Sequence, residues 1–156
     1  MKTIVVTGSG GFIGRNLVVT LARFPEVVVK TFDIQDTPES LEAHLQQADF
    51  VFHLAGVNRP KDASEYEQGN AGLTQTVIDL LKKHGRRVPL LITSSIQATL
   101  DNPYGISKRH AEEAVAAYGR ETGAAVYPYR LPNVFGKWSR PNYNSAVATF
   151  CHNIAN

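Results

Sequence analysis

The chain has 156 residues, 43% of them hydrophobic and 19% charged, with a formal net charge of +2. That length suits one domain with a real core, the composition excludes a disordered chain, and the charge is too small to single out a nucleic-acid or anionic-membrane partner. A lone cysteine, Cys151, excludes an internal disulfide, no apolar run reaches the ~18 residues of a membrane span, and the first residues do not form a signal peptide.

The pattern alternates strand and helix. Ile4 to Val6 is a β-branched run that stops at Thr7-Gly8, and Gly14 to Phe24 reads as a helix with Leu17, Val18 and Leu21 at helical spacing. Val27 to Phe32 is the next strand, Pro38 and Ser40 open a second helix, and Phe50 to Leu54 is a third strand. Asn70 to His84 is a helix whose last turn carries Lys82 and Lys83 before a glycine stop at Gly85. Pro89 to Thr93, Tyr104 to Tyr118 and Ala125 to Tyr129 complete the alternation, and Ser145 to the end is helical. Such a chain predicts an α/β fold, a doubly wound parallel sheet with helices on both faces and ligands at the carboxyl ends of its strands.

Three motifs carry chemistry. Gly8, Gly11 and Gly14 are spaced three apart, with Phe12 and Ile13 between the last two, after a strand and at a helix start. Glycines there let backbone and a helix N-terminus approach a pyrophosphate. Asp33 ends the second strand 19 residues after Gly14, where a carboxylate accepts from an adenosine ribose and repels a 2′-phosphate. No Lys or Arg lies in the Gly8–Gly14 loop, so NAD(H) is favoured and NADP(H) stays open. Tyr104 and Lys108 are four apart and share a helix face, where a nearby ammonium lowers a phenol's pKa. Ser95, with Ser94 as its rival, ends the preceding strand and can hydrogen-bond the same substrate oxygen.

These motifs occur in order with His53-Leu54-Ala55-Gly56, Asn70 at a helix start, and Arg130-Leu-Pro-Asn133-Val-Phe-Gly136. Together they resemble the extended short-chain dehydrogenase/reductases, or NAD-dependent epimerase/dehydratase family, over essentially the whole chain. A narrower resemblance, in His53–Pro60, Ser94–Thr99, Asp101–Gly105 and Phe135–Ser145, is to the reductase domains of the CapF group of capsular polysaccharide biosynthesis enzymes. The resemblance implies a Rossmann-type fold and a UDP-linked N-acetylated 4-keto-6-deoxy sugar as substrate. It makes Tyr104 the proton donor, Lys108 the residue that tunes it and holds the nicotinamide ribose, and Ser95 the residue that orients the carbonyl. Leu54, Ala55 and Gly56 would pass under the cofactor, Asn70 would lie near it, and Asn133 would contact the nucleotide sugar. Arg140, Trp138 and Tyr143 either line that site or pack their loop, and Arg140 is carried as a substrate residue.

Two spacings depart from the family. Only eight residues separate Ser95 from Tyr104, and only fifteen separate Asp33 from Asp49, so one strand is expected to be missing. Members of the CapF group use NADPH, which Asp33 argues against here. His53 reads as a buried structural residue, Cys151 as a core residue of its helix, and no metal site is expected. The reading is a cytoplasmic nucleotide-sugar reductase without nucleic-acid or membrane partners. The alternatives are a 4-epimerase or a non-catalytic dinucleotide-binding module. Residues 1–156 are expected to be one dinucleotide-binding domain of a longer reductase, its C-terminal substrate domain truncated. Its last helix would leave Val147, Phe150, Cys151 and Ile154 without a partner and so favour a homo-oligomer.

Overall fold

The computed structural model describes residues 1–156. Its strands are β1 (Lys2–Thr7), β2 (Val27–Phe32), β3 (Phe50–His53), β4 (Leu90–Ser95) and β5 (Val126–Leu131). All pair in parallel, in the order β2-β1-β3-β4-β5. Helix α1 (Phe12–Leu21) joins β1 to β2, and α2 (Pro38–Gln46) returns from β2 past β1 to β3. Only α2 lies between β2 and β3, so the shortened stretch after Asp33 leaves β2 as the sheet edge.

The chain steps one way from β1 to β2 and the other way from β2 to β5. Right-handed crossovers therefore put α1 on one face of the sheet and the remaining crossover helices on the other. The order reverses beside β1, and the crevice between the ends of β1 and β3 is the switch point of the sheet.

The core lies on the face opposite α1. Val5, Val51 and Leu90 are in register and fully buried beneath Leu41 and Leu45 of α2. Val77 and Leu81 of α4 (Leu73–Lys83) and Val115 and Tyr118 of α5 (Pro103–Thr122) complete it. On the other face Phe50 packs at a tilt against Phe52 with ring centroids 4.7 Å apart and stacks on Tyr127 at 6.1 Å, with Tyr127 41% exposed.

Local chemistry sets the boundaries. The Asn102 side chain accepts from Gly105 N at 2.8 Å and Pro103 follows it, so α5 starts one residue before the expected Tyr104. It runs to Thr122, past the expected Tyr118, because Gly123 adopts the left-handed stop with φ 74°. The helix expected from Asn70 starts earlier. A short turn, α3 (Ser64–Tyr66), passes into a π-helical stretch, Glu67–Gly72, before α4. Ser145 caps α6 (Ala146–Ala155) by accepting from Ala148 N at 3.2 Å. Cys151, expected in the core, is exposed, because α6 buries none of its residues.

Candidate active site

The loop after β1 is shaped to receive an anion. Gly8 sits at φ 67°, and a Cβ there would stand 2.6 Å from Ala55 N, so only glycine lets this turn lie against the loop after β3. Gly11 caps α1 with no side chain, which leaves the first-turn N–H groups of Phe12, Ile13 and Gly14 without side-chain acceptors. Such amides at the positive end of a ten-residue helix suit a pyrophosphate. The Phe12 ring lies against Gly136, and Asn16 Nδ2 donates to Lys137 O at 2.8 Å, so the segment after β5 docks on α1. Asp33 closes the rim: its Oδ2 accepts from Gly10 N at 2.5 Å and its Oδ1 from Ile34 N at 2.8 Å. A second cavity of about 400 Å³ beside Gly10 is lined by Ser9, Arg15, Thr31, Gln35 and Trp138.

Beneath the crevice, a chain of hydrogen bonds fixes the protons of His53. Thr74 donates its hydroxyl proton to Asn70 O at 2.7 Å, so it must accept from His53 Nε2 at 3.0 Å. Nε2 then carries the ring proton, and Nδ1 accepts from Thr7 Oγ1 at 2.7 Å, while Thr7 accepts from Ala55 N at 3.2 Å. Burial, with the Lys108 charge adding to it, drives the His53 pKa down to about 3, so the ring is neutral, in keeping with the structural role expected of it. Asn70, 2% exposed, carries the network on. Its Oδ1 accepts from Val57 N at 3.0 Å, and its Nδ2 donates to Val57 O at 3.2 Å and Ser107 Oγ at 3.0 Å. The π-helical stretch turns this amide toward the β3 loop; Asn70 supports the loop and does not itself line the cleft.

Ser95, Tyr104 and Lys108 converge above this floor. A Cβ on Gly56 would stand 2.7 Å from Asn70 Oδ1 and 3.1 Å from Lys108 Nζ, so glycine here lets the β3 loop lie against both side chains. Lys108 is 7% exposed, donates to Thr93 O at 3.1 Å and has its pKa lowered to about 8 by burial, against a smaller pull upward from Glu112. The Tyr104 pKa is raised, not lowered as its spacing from Lys108 suggested. Burial of the phenol is the main cause, the Ser95 hydroxyl pulls the other way, and Tyr66 adds to the rise. The ammonium lies 5.9 Å from the Tyr104 ring centroid, held by the Thr93 carbonyl. Ser95 Oγ accepts from Gln97 N at 3.1 Å, which leaves its proton free. Ser94 and Ser95 both line the cleft, and the Ser94 hydroxyl is buried without a hydrogen-bond partner.

These three residues line a cleft of about 1110 Å³ with Ile13, Leu54, Gly56, Asn133 and Tyr143. Arg140 does not line it, and Trp138 lies in the second cavity with Lys137 4.6 Å from its ring centroid. Two contributors escaped the motif reading. Glu112 makes a two-pronged pair with Arg130, at 2.6 Å from Nη2 and 2.9 Å from Nε, and its pKa is lowered chiefly by that partner. Its place four residues after Lys108, with an arginine at the end of β5, was the available signal. Tyr66 packs edge-on against Tyr104 at 5.6 Å from a turn with no sequence cue.

A model of the NAD dependent epimerase/dehydratase family matches residues 4–156. The chain is 53% identical over 151 residues to a UDP-2-acetamido-2,6-beta-L-arabino-hexul-4-ose reductase of Pseudomonas aeruginosa, covering 97% of this chain and 41% of that protein. It superposes with a TM-score of 0.85 on the capsular polysaccharide assembling protein CapF of Staphylococcus aureus, at 47% identity, covering 97% of this chain and 41% of that one. A UDP-glucuronic acid 4-epimerase from Bacillus cereus, in complex with NAD, gives a TM-score of 0.83 at 20% identity over 98% of this chain and 63% of its own, which shows a shared fold alone. The chain spans about two fifths of the length of the first two relatives.

Proposed function

The chain belongs to the NAD dependent epimerase/dehydratase family, and on that footing we propose that it forms the cofactor-binding and proton-donating part of a nucleotide-sugar reductase. The observation that carries this reading is the meeting of Ser95, Tyr104 and Lys108 in one cleft, beside a glycine loop with free helix-start amides. The substrate is a UDP-linked N-acetylated 4-keto-6-deoxy sugar, a reading supported by the 53% identity to a reductase of that chemistry.

When bound, a nicotinamide dinucleotide supplies the hydride for the sugar C4. The N–H groups of Phe12, Ile13 and Gly14 would hold its pyrophosphate, Gly8 and Gly11, whose own amides donate to Phe32 O and Gly8 O, would let it approach the backbone, and Leu54, Ala55 and Gly56 would lie beneath it. Tyr104 gives its phenolic proton to the carbonyl oxygen as that oxygen gains charge, and solvent later returns a proton to the phenolate. The raised Tyr104 pKa keeps the phenol protonated before reaction. Ser95 donates its free proton to the same oxygen and so orients it. Lys108, with two ammonium protons beyond the one on Thr93 O, holds the ribose next to the nicotinamide.

Asp33 at the rim favours NAD(H), since its carboxylate accepts from ribose hydroxyls and repels a 2′-phosphate. Arg15 in the adjoining cavity supports NADP(H) as the second reading. Val147, Phe150 and Ile154, 42 to 86% exposed on α6, support self-association. No helix is long and apolar enough to cross a membrane, and we place the reaction in the cytoplasm.

The test follows NADH absorbance in a protein that carries this chain together with the additional length of its relatives. Oxidation of one NADH per UDP-linked 4-keto sugar, lost in Tyr104→Phe, is the expected result. Sugar epimerisation without net NADH oxidation would replace the reductase reading with a 4-epimerase, and NADH binding with neither reaction would leave a dinucleotide-binding module.

A further inference from the structure

The large cleft is lined by two charged side chains, Arg59 and Lys108, and by no carboxylate. Lys108 is buried and held by Thr93 O. Arg59 is exposed in the loop after β3 and takes part in none of the chain's ion pairs. Its guanidinium instead lies over the Tyr143 ring, 5.3 Å from the centroid. That contact fixes the head group without occupying its fork of N–H donors.

The loop under Arg59 is tied to the reacting centre. Asn58 O accepts from Tyr66 Oη at 3.1 Å, and the Tyr66 ring packs edge-on against Tyr104. Tyr143 is fixed from the other wall, where Asn142 N donates to Thr149 Oγ1 at 2.8 Å and Ser145 caps α6. Arg59 thus bridges the mouth of the cleft, joined on one side to the tyrosine that donates the proton and on the other to the segment before α6.

We propose that Arg59, stacked on Tyr143, binds the diphosphate of the nucleotide-sugar substrate; the assignment rests on the nucleotide-sugar reading above. In that substrate class the N-acetylated 4-keto sugar and the uracil are neutral, and the diphosphate is the charged part. A free guanidinium in a cleft without carboxylates has one kind of complementary partner, an anion that accepts from a planar fork. The cofactor pyrophosphate already has the glycine loop, and none of Gly8, Gly10 and Gly11 lines this cleft.

Calorimetric titration of the NADH-loaded chain with UDP, and separately with uridine, tests the proposal. UDP binds the parent chain, uridine binds at least tenfold more weakly, and Arg59→Gln weakens UDP by about 10- to 100-fold, the range of a lost charge-assisted pair. The affinity for NADH stays within about twofold in that variant, which also shows that it folds. Arg87→Gln, exposed before β4 and outside the cleft, leaves UDP affinity unchanged. Equal UDP affinity in parent and Arg59→Gln, equal affinity for UDP and uridine, or an equal loss in Arg87→Gln would each overturn the assignment. NADH binding without UDP binding defeats the Arg59 proposal alone; no NADH binding defeats the underlying reading as well.

Discussion

Beneath the cleft, Thr7, His53, Asn70 and Thr74 are at most 2% exposed, and a continuous hydrogen-bond chain joins them. At its mouth, Arg59 and Asn133 are exposed and Tyr143 is 39% exposed, with the guanidinium free of any ion pair. The floor comes from strand ends and helices of the parallel sheet, whereas the mouth comes from the loop after β3 and the segment after β5. A closed network fixes one geometry before any ligand arrives, and free donors at the mouth gain their partners only from the ligand. The floor therefore sets position and protonation, and the mouth sets what is recognised.

The largest effect belongs to the group above the floor. Tyr104→Phe, in a protein able to turn over, should lower the rate by about 10²- to 10⁴-fold, the usual contribution of a positioned proton donor. Cofactor affinity should stay within about threefold, because the hydroxyl acts on substrate. Steady-state rates and NADH titrations check both halves, and a near-native rate would remove Tyr104 from its role.

Breaking the floor should cost stability. His53→Leu leaves the Thr7 hydroxyl proton without its acceptor and Thr74 without the donor it accepts from, and should lower unfolding free energy by about 2–4 kcal/mol in a urea titration. The parent should also be acid-sensitive through this residue. The folded ring resists protonation down to about 3 against its ordinary 6.5, so its contribution is complete above pH 6.5 and is lost as pH falls toward 3. Part of that slope should vanish in His53→Leu.

Lys108 gives the opposite end of the pH range. Its folded pKa of about 8 lies below the ordinary 10.5, so the cofactor-free chain should gain stability as pH rises from about 8 toward 10.5. NADH affinity should fall over the same rise, as the ammonium that holds the ribose is lost. Lys108→Met should flatten both trends, and an NADH affinity indifferent to pH from 7 to 10 would remove Lys108 from the cofactor site.

At the rim, Asp33→Asn removes a repulsive charge and should move the ratio of NADPH to NADH affinity upward by about tenfold, near 1.4 kcal/mol. A ratio unmoved by the change would point to Arg15 as the residue that decides between the cofactors. At the mouth, Asn133→Ala should raise KM for the sugar nucleotide by a few-fold with kcat unchanged, the smallest of these effects.

Much of the fold was legible because strand, turn and helix repeat with clear punctuation. Pro38, Pro103, Gly85 and Gly123 mark ends that backbone chemistry alone determines. The placement of Gly8, Asp33 and Ser95 at the carboxyl ends of strands, and of Tyr104 and Lys108 on one face of α5, was legible from residue type and spacing. The π-helical turn of Asn70 was not, since it depends on an amide reaching Val57 across the crevice. Nor was the direction of the Tyr104 shift, because four-residue spacing places Lys108 on the same helix face without saying that the phenol is buried, which raises its pKa, or that Thr93 O holds the ammonium. Arg59 was missed because a free cation is recognised by what lies around it, and its setting, Tyr143 and a cleft without carboxylates, comes from distant parts of the chain.

The claim that this chain carries a preformed nicotinamide-dinucleotide floor is tested most directly by titrating the purified chain with NADH and following its fluorescence. Saturable binding of one NADH per chain, retained in Tyr104→Phe and weakened in Lys108→Met, is the predicted result. Absence of saturable binding in a chain whose circular dichroism shows it folded would contradict the account.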